Sequence, residues 1–171
     1  MKRLLLPLLV LAFAGCANYT WRSSVPERVR TVHVPTFRDA SGLTETGPVV
    51  TRQVLREFQR EGTFKVRGDD AALEIQGEVV SATSRDRNAD YKAGSRLYGG
   101  SLELKAKVSV IDKTRGLVLV DNREYVGEAP YSALQDSTTA FRDAAGRAAD
   151  DLARRIVDDV LKLKFDFKTE K

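Results

Sequence analysis

Apolar residues follow three different spacings along the chain. Leu4 to Ala14 is an apolar run interrupted only by Pro7. Farther on, Leu73, Ile75, Gly77 and Val79 alternate with Glu74, Gln76 and Glu78, and Leu102, Leu104, Ala106, Val108 and Val110 alternate with Glu103, Lys105, Lys107 and Ser109. A period of two is the signature of half-buried strands. Val50, Val54, Leu55 and Phe58 recur at helical spacing, with Arg52, Arg56, Glu57 and Arg60 facing out. Phe141, Ala145, Ala148, Leu152, Ile156, Val160 and Leu163 step by threes and fours along a second helical stripe.

Turn residues punctuate this pattern. Val29 to Phe37 predicts a strand with Val32 and Val34 on one face, limited by Pro35. Thr36 to Pro48 reads as a loop; Pro48 suits the first turn of a helix and Gly62 its end. Thr63 to Val66 is a short extended piece before a Gly68-Asp69-Asp70 turn. Ser84 to Tyr98 reads as a polar loop, and the tight Asp112 to Gly116 connection makes a hairpin with a strand over Leu117 to Val126. Gly127 to Asp136 is a linking loop, after which Asp136 or Ser137 starts the long helix.

The expected fold is therefore α+β: a two-layer sandwich with a four-stranded mixed sheet and two helices packed on one face, in the order β-α-β-β-β-α. Two helices with one stripe each cover a single sheet face, leaving the other polar and open. The strand–helix–strand unit brings two strands together in parallel, and the rest is an antiparallel meander.

The apolar run at the start follows Met1, Lys2 and Arg3 and ends in Ala14, Gly15 and Cys16 (FAGC), the only cysteine. It is too short to span a bilayer and has the layout of a secretory signal peptide. Small residues directly before cysteine resemble a bacterial lipobox, in which that cysteine is lipidated and becomes the mature N-terminus. Phe13 stands where Leu is more common, and Ala17 is not the aspartate that signals inner-membrane retention in enteric bacteria. The expected organisation is a leader over 1–15, a lipidated tether over 16–28, one α+β domain over 29–165 and a charged tail over 166–171. The tether, with Tyr19, Trp21 and Pro26, reads as carrying a docking point, and Trp21 as a local packing residue rather than a ligand platform. The lipobox resemblance implies the outer membrane, facing the periplasm.

Lys2 and Arg3 leave with the leader, so the formal charge of +4 falls by two. That field is too weak to argue for nucleic acid, and no basic run tracks phosphates. His33 is the only histidine, so metal and triad templates fail, and it reads as a solvent-facing strand residue. Asp69-Asp70 and Asp158-Asp159 are adjacent pairs, read as a turn and a solvated helix face. Gly94, Gly99 and Gly100 form no phosphate loop. No catalytic residue, cofactor or metal is expected. The candidate site is a cluster of Arg85, Arg87, Lys92 and Arg96 with Tyr91 and Tyr98. Its cations can pair with phosphates, Arg bidentately. Asp86 and Asp90 partly neutralise it, so a plain solvated loop is the competing reading. Lys113 and Arg115 at the hairpin tip are a second candidate.

The lipobox followed by ANYTW, then VHVPTFRD, VTRQVLREF, DAALEIQGEVV, the alternating hairpin and DLARRIVDDVL together resemble the LPS-assembly lipoproteins (LptE) over nearly all of the mature chain. Asp39 is a departure, since the family often has Asn there. The resemblance implies a lipoprotein that plugs the large β-barrel of the LPS translocon (LptD), assists its assembly and helps deliver lipopolysaccharide to the outer leaflet. It assigns no LPS-contacting residue, so phosphate contact by Arg85, Arg87, Lys92 and Arg96 rests on their chemistry alone. The segment from Thr31 to Val66 also resembles curli-secretion lipoproteins and the lipoproteins that activate peptidoglycan synthases. A secretion pore needs further amphipathic strands, and the chain has no spare segment for them.

Overall fold

A computed structural model describes residues 25–43, 45–87, 99–132 and 137–165. A short 3₁₀ turn at Glu27–Val29 leads into β1 (Thr31–His33), β2 (Arg38–Asp39), α1 (Thr46–Glu61), β3 (Lys65–Val66), β4 (Leu73–Arg87), β5 (Gly99–Asp112), β6 (Leu117–Ser132) and α2 (Ser137–Leu161). The sheet runs β3-β1-β4-β5-β6, with β2 also on β4. β1 pairs in parallel with β3 and β4, and β4-β5-β6 is an antiparallel meander. The fold is α+β as expected.

The sheet has six strands rather than four. Pro35 splits the first strand: β1 meets Leu73 and Glu74 of β4, whereas β2 meets Glu78 and Val79 farther along the same edge. Between them, Phe37 turns inward and its ring lies on Gly77, where any Cβ would collide with it. The Phe37 N–H leaves the ladder and donates to Thr51 Oγ1 at 2.9 Å. The short extended piece after α1 is β3. Ser84–Arg87 and Gly127–Ser132, expected as loops, are strand.

Both helices lie on the face built from Leu73, Ile75, Val79, Leu102, Leu104, Ala106, Val108 and Val110, all buried. α1 contributes Val50, Val54 and Phe58, and the Phe58 ring meets Phe64 edge-on at 5.5 Å. Glu57, expected to face out, is buried and paired with Arg60 Nη2 at 2.5 Å. α2 buries the expected Ala148, Leu152, Ile156 and Val160, and adds Ala144, Ala149, Ala153 and Val157. These small side chains let it lie close to the sheet. At Gly127 the approach is closest, since a Cβ there would strike the Ala148 carbonyl and Leu152. Val25, within the segment assigned to the tether, is buried in this core.

Two ends that the local sequence leaves open are closed from a distance. Glu45, preceding α1, has a left-handed φ of 72° and no side-chain cap. Asp39 of β2 supplies the acceptor instead, taking the Gly47 N–H on Oδ2 at 3.0 Å, while Oδ1 takes the Ser41 N–H and hydroxyl. Burial pushes its pKa up, but these hydrogen bonds outweigh that and hold it below the usual carboxylate value. Asparagine also offers an Oδ1 acceptor, so a family preference for Asn at this position serves the same cap. The outer edge of β6 is blocked by α2: Asp151 accepts the Glu128 N–H at 3.2 Å and Arg147 donates to the Pro130 carbonyl at 2.7 Å. Pro130 itself has no N–H to offer a neighbouring strand.

Candidate functional site

The open sheet face carries the candidate site. Along β5, Glu103, Lys105, Lys107 and Ser109 point away from the helices, opposite the buried residues. In β4 the alternation slips at Val80: Val79 faces Ala106, yet Ser81 already faces Lys105. A bulge re-aims every side chain beyond it. Without the slip Arg85 would fall on the helix side; with it, Arg85 stands on the open face opposite Ser101.

There Arg85 Nη2 lies 2.8 Å from Glu103 Oε2, and Lys105 Nζ lies 3.6 Å from Glu103 Oε1. Lys105 also reaches Glu124 on β6 at 3.9 Å. Glu103 is only 5% exposed, whereas the Arg85 side chain is 61% exposed. One buried carboxylate therefore holds two cations whose outer sides remain in water. A guanidinium fixed in this way keeps donors free for an incoming phosphate oxygen.

Arg85 and Arg87 belong to β4 rather than to a loop, and Arg87 closes the ladder opposite Gly99. Lys92, Arg96, Tyr91 and Tyr98 lie outside the described residues, in the connection between those two positions. The second candidate is at the other end of the meander. Lys113 donates to the Asp69 carbonyl at 2.6 Å and pairs with Glu74 Oε2 at 3.3 Å. Glu103 and Lys113 stand ten positions apart along the meander, roughly 30 Å, so the two clusters do not form one site.

Sequence reasoning missed three features here. His33 is half-buried, not simply solvent-facing, with Nδ1 3.3 Å from Asp69 Oδ1 and 3.9 Å from Glu74 Oε2. Among the described residues no group of three metal-ligating side chains comes together. Asp112 is fully buried on the helix side of the sheet, 3.6 Å from Arg28 Nη1, and accepts the Thr114 N–H and hydroxyl on Oδ1. On the α2 side, Tyr125 donates to Asp159 Oδ2 at 2.6 Å beside the Arg123–Asp159 ion pair, and burial followed by that hydrogen bond raises the Tyr125 pKa. The period-two pattern of the sheet carried no sign of these pairings, which join residues distant in sequence.

Among the described residues the molecule is a two-layer α+β domain with one polar, ion-paired sheet face. The family pattern described as "LptE: Lipopolysaccharide-assembly" matches residues 29–160, and the chain belongs to that family. It is accordingly a lipopolysaccharide-assembly type of lipoprotein, from a family of non-enzymatic lipoproteins tied to LPS transport and membrane-associated. No curated protein matches the chain.

Solved structures share the fold. A hypothetical protein from Chlamydia trachomatis matches with a TM-score of 0.53 at 11% identity, over 80% of this chain and 98% of that one. A lipoprotein from Caulobacter crescentus matches with a TM-score of 0.51 at 16% identity, over 74% and 88% of the two chains. A Xanthomonas campestris protein matches with a TM-score of 0.50 at 16% identity, over 80% and 88%. At these identities the likeness concerns the fold alone.

Proposed function

We propose that this protein is an outer-membrane lipoprotein, anchored through Cys16 and facing the periplasm, that plugs the LPS translocon barrel (LptD) and assists its assembly. In that position it helps lipopolysaccharide reach the outer leaflet. The observation that carries the reading is the open sheet face with its Arg85–Glu103–Lys105–Glu124 network. Large outer-membrane barrels have a polar lumen, and a plug needs a hydrogen-bonding surface whose charges are already balanced. Lipopolysaccharide is rich in phosphate, and the half-satisfied cations at the 85–105 end suit it. Arg85, Arg87, Lys92 and Arg96 are the contacts in this reading.

Affinity purification from the native membrane tests it. Recovery of an outer-membrane barrel supports the plug; recovery of a peptidoglycan synthase in its place replaces it with the activator reading. Substituting Arg85, Arg87, Lys92 and Arg96 together by Gln is expected to weaken LPS binding by the purified protein about tenfold or more, as loss of several charge-assisted contacts implies. Unchanged binding removes these four residues from the mechanism.

A further inference from the structure

Leu117 and Val118, at the start of β6, are the large aliphatic side chains left exposed among the described residues, at 43% and 58%. Val118 pairs across the strands with the half-buried Ile111, and Leu117 with Asp112. Val118 thus lies on the open face and Leu117, opposite Asp112, on the helix side, so exposed aliphatic side chains flank both faces of the tip where the hairpin turns through Lys113, Thr114, Arg115 and Gly116. Lys113 and Arg115 flank it, and Lys113 is taken up by the Asp69 carbonyl and the Glu74 carboxylate. The tip offers apolar surface rather than an ion-binding site.

The N-terminal segment reaches this same end. Arg28 is held by Asp112, the last residue of β5, and by the Phe165 carbonyl at 2.9 Å, while Arg30 Nε donates to the Val25 carbonyl at 3.1 Å. Eight residues separate Val25 from Cys16. Even fully extended, that stretch spans about 30 Å at most. A lipid on Cys16 therefore keeps this end of the domain, not the Arg85 end, close to the leaflet that carries it.

We infer that the β5–β6 tip is a second contact with that membrane, with Leu117 and Val118 resting in the headgroup region of the leaflet that holds the Cys16 lipid. This rests on the anchored-lipoprotein reading above. Two aliphatic side chains do not hold a protein on a bilayer by themselves. Tethering makes the encounter intramolecular and raises the effective concentration, so a weak contact suffices to fix orientation. The tip then points the β4–β5–β6 meander away from the leaflet and carries the Arg85–Glu103–Lys105 cluster to the far side.

The test uses the full, lipidated chain in phosphatidylethanolamine–phosphatidylglycerol vesicles with brominated acyl chains. Trp21→Phe removes the native indole, and either Leu117→Trp or Thr83→Trp supplies a reporter. The indole at 117 is expected to be quenched about twofold or more beyond the indole at 83, as insertion to headgroup depth requires. Mass spectrometry and vesicle flotation accompany the measurement. An acylated, vesicle-bound chain whose two reporters are quenched equally overturns the tip contact while leaving the anchor intact. A chain that carries no lipid at Cys16 overturns both.

Discussion

Strand β5 buries a carboxylate near each end, and the two are held in opposite ways. Asp112 lies on the helix side, fully enclosed, with Thr114 bonded to Oδ1 and Arg28 reaching in from the N-terminal segment. Glu103 lies on the open face, paired with Arg85, which stands largely in water, and with the half-buried Lys105. The first arrangement closes a turn and ties down a chain end. The second presents charge outward. Burial of a carboxylate thus marks structure at one end of the strand and binding surface at the other, and the difference lies in Arg85, 61% exposed where Arg28 is 37%.

Breaking the two ends should therefore have unequal results. Asp112→Ala leaves the Thr114 N–H and hydroxyl without their acceptor and frees Arg28, at an expected cost of about 2–3 kcal/mol. Urea unfolding midpoints measure this; a loss under 0.5 kcal/mol, on the order of an ordinary surface substitution, would make Asp112 a bystander. Gly127→Ala, halfway along the other edge, drives a methyl into the Ala148 carbonyl and Leu152 and is expected to cost about 1–3 kcal/mol as overpacking. An unchanged midpoint there would mean that α2 can slide outward without loss.

The same contrast separates what the sequence discloses from what it hides. Alternation over 73–79 and 102–110 and the helical stripes were legible because each residue reports its own side of one element. Gly62 as the end of α1 was legible too, and its φ of 81° needs no partner. The strand status of Ser84–Arg87 was not legible: those residues are polar and lie beyond a one-residue slip at Val80 that only pairing with β5 defines. In Gly127–Ser132 the core-side residues are Gly127, Ala129 and Tyr131, two of them too small to mark a strand. Of the candidate site, the residue types were readable, but the setting of Arg85 was not, because its carboxylate partner sits on the next strand. Asp39 capping α1 and Arg28 meeting Asp112 were hidden for the same reason.

Glu103→Gln sharpens the comparison from the binding side. Its nearer partner, Arg85, is exposed, so stability should change by less than about 1 kcal/mol. Removing the negative charge leaves Arg85 and Lys105 free for phosphate, and LPS affinity is expected to rise by up to about fivefold, the equivalent of that energy. A fall in affinity, measured on the purified protein, would mean that Glu103 positions Arg85 rather than competing for it.

The smallest expected effect is a pH dependence at the Asp112 end. Glu74 accepts a hydrogen bond from Gln76 at 2.6 Å, with Lys113 at 3.3 Å and His33 at 3.9 Å. The Gln76 bond, with Lys113 and His33 behind it, outweighs burial and holds the carboxyl below its ordinary value of 4.5. A carboxylate with a lowered folded-state pKa contributes stability that is fully present above its unfolded value and is lost as pH falls through the folded one. The window therefore lies below pH 4.5, and its depth is a fraction of about 1 kcal/mol because Gln76, its foremost partner, is exposed. Glu74→Gln should flatten the acid limb of stability against pH while leaving the neutral limb in place. If chemical-denaturation curves between neutral pH and the acid limb superimpose for the two proteins, the Glu74–Lys113 contact does not hold the tip. The ordering of that end then falls to Asp112 alone.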